Sequence, residues 1–181
     1  ENIKIFARKC EKKYETHVSK KSAQKPGSSE VFSFDNEFEM STFVLDLMTD
    51  IVKRSNDDDV GCSYWTGSWW PLVYSRKYYT LLKSAKKPKN YYVIFRKNGL
   101  FEKWCTNFVR SFGFNVKYGL DLYEHDIATL NNEVIQIYRS KDLYELFNKT
   151  LTSLEKKNTF GVTKFIESLL NFKTNIQVIY I

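Results

Sequence analysis

Apolar positions change period several times along the chain, and each change marks an element. Over residues 37–54, Phe38, Phe43, Val44, Leu47, Met48 and Ile51 recur near helical spacing, which predicts an amphipathic helix. EVFSF (30–34) before it reads as a strand, and Asp35 or Asn36 can cap the helix. SNDDDVG (55–61) closes it. CSYWTGSWWPLVYS (62–75) fits a strand, a turn and the start of a helix, and RKYYTLLKSAKK (76–87) is helical until Pro88 stops it. NYYVIF (90–95) is a buried strand followed by a turn at RKNG. LFEKWCTNFVRSFG (100–113) has Phe101, Trp104, Phe108 and Val109 on one face, expected to be core, and Gly113 ends it.

The second half continues the alternation. FNVKYGL (114–120) is a strand, and IATLN and EVIQIY flank Asn131-Asn132, a tight-turn signal that predicts a hairpin. SKDLYELFNKTLTSLEKK (140–157) is a helix with Leu143, Leu146, Phe147, Leu151 and Leu154 inward. A further helix over 162–171 and a strand in NIQVIYI follow. Strands alternating with helices, with one hairpin, predict an α/β (α+β) sandwich in which helices pack a mixed β-sheet. The polar stretch SKKSAQKPGSS separates a basic arm, residues 1–29, from an α/β domain over 30–181.

Composition narrows the class. A chain of 181 residues with 43% hydrophobic residues fills one domain with a sizeable core. No run approaches the ~20 apolar residues that cross a bilayer, so no membrane partner is expected. Three widely spaced cysteines, Cys10, Cys62 and Cys105, form no zinc-ligand spacing and favour a reduced, intracellular setting. Two histidines exclude a His-rich metal site, while carboxylate-held Mg²⁺ or Ca²⁺ stays open. Asp57-Asp58-Asp59 lacks the alternation of a calcium loop and reads as a solvated turn. No cofactor-binding motif is present, whether a Gly-rich phosphate loop or a Gly-x-Ser-x-Gly elbow.

Charge changes the picture most. The net +7 divides into +5 over residues 1–25, −7 over 26–60, +10 over 61–120 and −1 over 121–181. Glu102 is the lone acidic residue of the +10 stretch. Such a stretch attracts phosphates or an acidic partner; the competing reading is that Lys-rich faces keep an aromatic domain soluble. Trp65, Trp69 and Trp70 lie among Arg76, Lys77, Lys83, Lys86, Lys87, Lys89, Arg96 and Lys97. Exposed rings stack on unpaired bases while lysines follow the backbone, so these residues form the candidate nucleic-acid surface. The same rings suit a core, or a pocket for a sugar or nucleobase.

From residue 91 to 157 the segments YYVIFRKNGLFEKW, FGFNVKYGL, HDIATLNNEVIQIYRS and LYELFNKTLTSLEK resemble half of the phospholipase D-like fold. They are most similar to its degenerate version, the effector domain of TrmB-type transcription regulators. Catalytic members carry His-x-Lys-x4-Asp with Gly-Ser further on. Here His125 and Ser140 match, but Ile127 replaces Lys, Asn132 replaces Asp and Arg139 replaces Gly. A nucleophilic His without those partners loses most of its transition-state stabilisation, so no catalytic residue is assigned. The resemblance implies a regulatory domain that senses a ligand or mediates assembly beside a DNA-binding module.

Three functions follow as expectations. The first is a non-enzymatic domain binding nucleic acid or another polyanion. The second is an assembly domain whose acidic and basic faces meet a protein partner or a second copy. The third is a phosphodiesterase or metal nuclease using Glu37 and Glu39, or Asp121, Glu124 and Asp126.

Overall fold

The computed structural model describes residues 28–67, 76–84, 88–156, 167–168 and 171–181, with side chains described from 78 in the second helix and to 150 in the fourth. Seven strands form one sheet, in the order β1-β7-β6-β5-β2-β3-β4. These are β1 (Glu30–Phe34), β2 (Val60–Trp65), β3 (Asn90–Phe95), β4 (Asn115–Tyr118), β5 (Asp126–Leu130), β6 (Glu133–Tyr138) and β7 (Ile176–Tyr180). β2, β3 and β4 run parallel, and every other pairing is antiparallel. Among the described residues the helices are α1 (Glu37–Arg54), α2 (Arg76–Ser84), α3 (Leu100–Arg110) and α4 (Lys141–Lys156), with further helical positions at 167, 168 and 171.

Alternation decides which side of the sheet is covered. The register aligns Phe32, Val178, Ile137, Asp126, Trp65 and Phe95 across one face. Met40, Phe43, Val44, Leu47 and Ile51 of α1, Cys105 and Val109 of α3, and Leu143 and Phe147 of α4 join that face in the core. Tyr78 of α2 is buried there and donates its hydroxyl to Asp46 Oδ1 of α1 at 2.7 Å. All four of these helices therefore lie on one side of the sheet, a two-layer arrangement of the described residues, among which only the 119–125 loop lies over the other face. The expected mixed α/β architecture is present.

Local signals explain the boundaries. Asn36 Oδ1 accepts the Glu39 N–H at 2.9 Å and starts α1. Gly113, at φ +85°, turns the chain out of α3 and donates its N–H to Arg110 O at 2.8 Å. Asn131, at φ 55°, makes the two-residue β5–β6 turn. At Gly61 a Cβ would stand 2.6 Å from Thr129 O, so the β2–β5 approach requires glycine.

Candidate nucleic-acid interface

The charge blocks of the sequence become regions of the fold. The described cations of residues 61–120 fall on α2, α3, β4 and the loops beside β3, at one end of the strand order, while the acidic 30–59 stretch forms β1, α1 and the following turn. Lys83, Lys89, Lys97, Lys103, Arg110 and Lys117 are exposed. Glu102, the acidic residue of this stretch, is 3% exposed and accepts the Gly99 N–H at the start of α3, 3.0 Å away. Arg96 is the cation of this region seen in an ion pair among the described side chains: Nε lies 2.7 Å from Asp121 Oδ1. The hydrogen bond that Arg96 donates to Asp121 raises the Arg96 pKa. Lys97 Nζ donates to Asn148 Oδ1 of α4.

The predicted surface residues do not all converge. Trp65 is 8% exposed and packs in the core, with no ring face left for a base; the strand alternation that puts Ser63 inward does the same to it. Lys89 precedes β3 and Arg96 follows it, which separates them by about 20 Å of strand. Lys83 closes α2, Arg76 and Lys77 begin it, and Lys97 adjoins Arg96. Trp69, Trp70, Lys86 and Lys87 lie outside the described residues.

The exposed tryptophan is a different one. Trp104, expected inside, is 48% exposed. Its ring stacks between Phe101 and Phe108, with centroids 5.6 and 6.1 Å away. Phe108 continues the row edge-on to Tyr79 of α2 at 5.4 Å. Phe101 and Phe108 are half-buried, so α3 presents an aromatic ridge with Lys103 beside it.

Three of the carboxylates proposed for metal binding, Glu37, Asp121 and Asp126, are engaged by arginines. Glu37 and Asp126 do converge, but on the guanidinium of Arg139. Arg139 Nε and Nη2 lie 2.8 and 2.9 Å from the two oxygens of Glu37, and Nη1 lies 2.5 Å from Asp126 Oδ2. Asp126 Oδ1 also accepts the Thr66 N–H and hydroxyl, at 2.7 and 2.5 Å. Burial pulls the Arg139 pKa down, but the charges of Asp126 and Glu37 outweigh it and raise the value well above normal. The guanidinium stands where a shared cation would sit, and it ties α1 to the ends of β2, β5 and β6. Asp121 and Glu124 are exposed on the loop before β5. Among the described residues no group of His, Cys, Asp or Glu is placed to hold a metal ion.

Both motif matches have structural neighbours instead. The His125 ring stacks on Tyr138 at 4.4 Å and 19°, and its Nε2 is buried without a hydrogen bond among the described residues. Ser140 Oγ accepts the Leu143 N–H at 3.3 Å and caps α4.

No protein-family model matches the chain, and no curated protein does. Among solved structures it is similar to TrmBL2, described as an archaeal chromatin protein with a novel mode of DNA binding. The identity is 10% and the TM-score 0.41, over 98% of this chain and 55% of that one. This chain thus spans about half of that protein's length. A likeness at this level carries no argument about function.

Proposed function

We propose that the domain is a non-enzymatic binding module that holds a nucleic acid, or a comparable polyanion, on its α3 side. The observation that carries this reading is the set of exposed cations Lys83, Lys89, Lys103 and Arg110, none of them in an ion pair among the described residues. Unpaired cations in one region gain most from releasing the counterions of a phosphate chain. Trp104, rather than Trp65, supplies the aromatic contact, which favours single-stranded nucleic acid with unstacked bases. The regulatory setting in this proposal rests on the sequence resemblance to TrmB-type effector domains over residues 91–157, where the element order is β3-α3-β4-β5-β6-α4.

Fluorescence anisotropy with labelled single- and double-stranded oligonucleotides across a salt series tests the reading. Lys97→Ala and Lys103→Ala should each lower the salt slope by about 0.7 to 0.9 for a lost phosphate contact. Trp104→Ala should weaken single-strand binding by about 1–3 kcal/mol. Absence of binding at low salt would remove the proposal.

A further inference from the structure

The sheet face opposite the helices has almost no charge. Among the described outward strand positions Lys117 is the single charged residue, and it sits on the edge strand β4. Its centre is made of half-buried Cys62, Ile127, Thr129, Gln136 and Ile179, while Val31 and Val60 are 60% and 64% exposed. Tyr92 and Tyr138 are 39% and 38% exposed on the same face. The 119–125 loop covers one end of it, where the buried Tyr64 hydroxyl donates to Tyr123 O and accepts the Leu122 N–H.

We propose that this face joins two copies of the chain, sheet against sheet, about a two-fold axis. Area is the first argument. Seven strands about 4.8 Å apart, each about five residues long, give a footprint on the order of 500 Å². Side-chain relief raises the accessible area above the footprint, toward the roughly 800 Å² per partner of a standard stable interface. Charge chooses the occupant. A two-fold contact sets a patch against itself, so a charged patch meets its own sign. Copies carrying +7 repel through their basic surfaces, and this face is the broad one that avoids the penalty. Twisted sheets pack face to face about 10 Å apart, which leaves both helix layers outside. The inference does not depend on the polyanion reading, because α3 stays accessible in such a pair.

Sedimentation velocity of the full chain, from low to high micromolar, is the test. The wild type is expected to become dimeric, and Gln136→Lys with Gln177→Lys to stay monomeric with unchanged circular dichroism and melting temperature. If added charge disturbs the fold, Val31→Gln with Val60→Gln replaces it and should raise the dimer Kd at least about tenfold, since each of these exposed valines loses burial in the interface. Alkylation of Cys62 in a Cys10→Ser chain gives a second readout, because Cys105 is fully buried. The rate should fall as concentration rises, following the dimer fraction. A wild type monomeric throughout overturns the proposal, and so does a dimer that both pairs of substitutions leave intact. Slow, concentration-independent alkylation of a monomer also overturns it, in favour of another part of the same chain lying over the face.

Discussion

Arg139 is a buried cation with more negative charge around it than it neutralises. Its replacement by Met leaves Glu37 and Asp126 facing each other in a site about 1% exposed. The cost should be about 3–5 kcal/mol, measured by urea unfolding. Glu37→Met added to it should cost less than the sum of the two single changes, because the second substitution removes one uncompensated carboxylate. Gly61→Ala should cost about 1–3 kcal/mol, since its Cβ would press on Thr129 O, Leu130 Cδ1 and Tyr91 Cδ2, all within 2.9 Å. A melting temperature unchanged in Gly61→Ala would refute that close approach. None of this triad could be read locally. Glu37 stands 102 residues from Arg139. Spacing arguments see only neighbours, so Glu37 and Asp126 look like metal ligands and Arg139 like a lost glycine.

Elements were far more legible than contacts. The spans of β1, α1 and β3 coincide with EVFSF, residues 37–54 and NYYVIF, because each has one clear period and a nearby cap or breaker. The hairpin falls about Asn131-Asn132 as expected. Most of the helix expected over 162–171 lies outside the described residues. At α3 one ring lies outside where its period puts it inside. Periodicity groups Phe101, Trp104 and Phe108, but it does not report how much sheet lies beneath them. α3 packs over the four-residue edge strand β4, which buries Cys105, Thr106 and Val109 and leaves Trp104 outside. Trp65 errs the other way, since a strand covered by helices hides large rings that look like a binding cluster. At the start of α1, Asn36→Ala should remove the bond to the Glu39 N–H and cost about 1 kcal/mol in thermal or urea unfolding. Asn36→Asp should retain most of it.

Across the whole molecule, the aromatic content makes stability depend on alkaline pH. Burial raises the pKa of Tyr79, Tyr91, Tyr144 and Tyr180 above the usual 10.0, with Asp126 adding to the effect at Tyr144. A raised phenol favours its neutral form in the folded state. The stability it contributes is therefore complete below pH 10 and is lost as pH rises above it. Urea midpoints should stay level up to about pH 9 and fall beyond; the exposed Tyr92, Tyr118, Tyr123 and Tyr138 should ionise in the folded protein, and the rest of the tyrosinate absorbance should rise together with loss of circular dichroism. Tyrosinate absorbance reaching its full unfolded-state amplitude before unfolding would contradict the burial of these four rings.

β7 lies between β1 and β6, yet its five residues come 142 positions after the last residue of β1. During synthesis, β1 has left the ribosome long before its neighbour exists. Until residue 180 has emerged, β1 has none of the other described strands beside it, and β6 presents an unpaired edge to every other nascent chain. The sheet closes late and through contacts distant in sequence, which are slow to form. For this chain, yield at high expression is thus set by how long that edge stays open: slower translation upstream of β7 should lengthen the exposure, and a chaperone that binds extended segments should shorten its consequences.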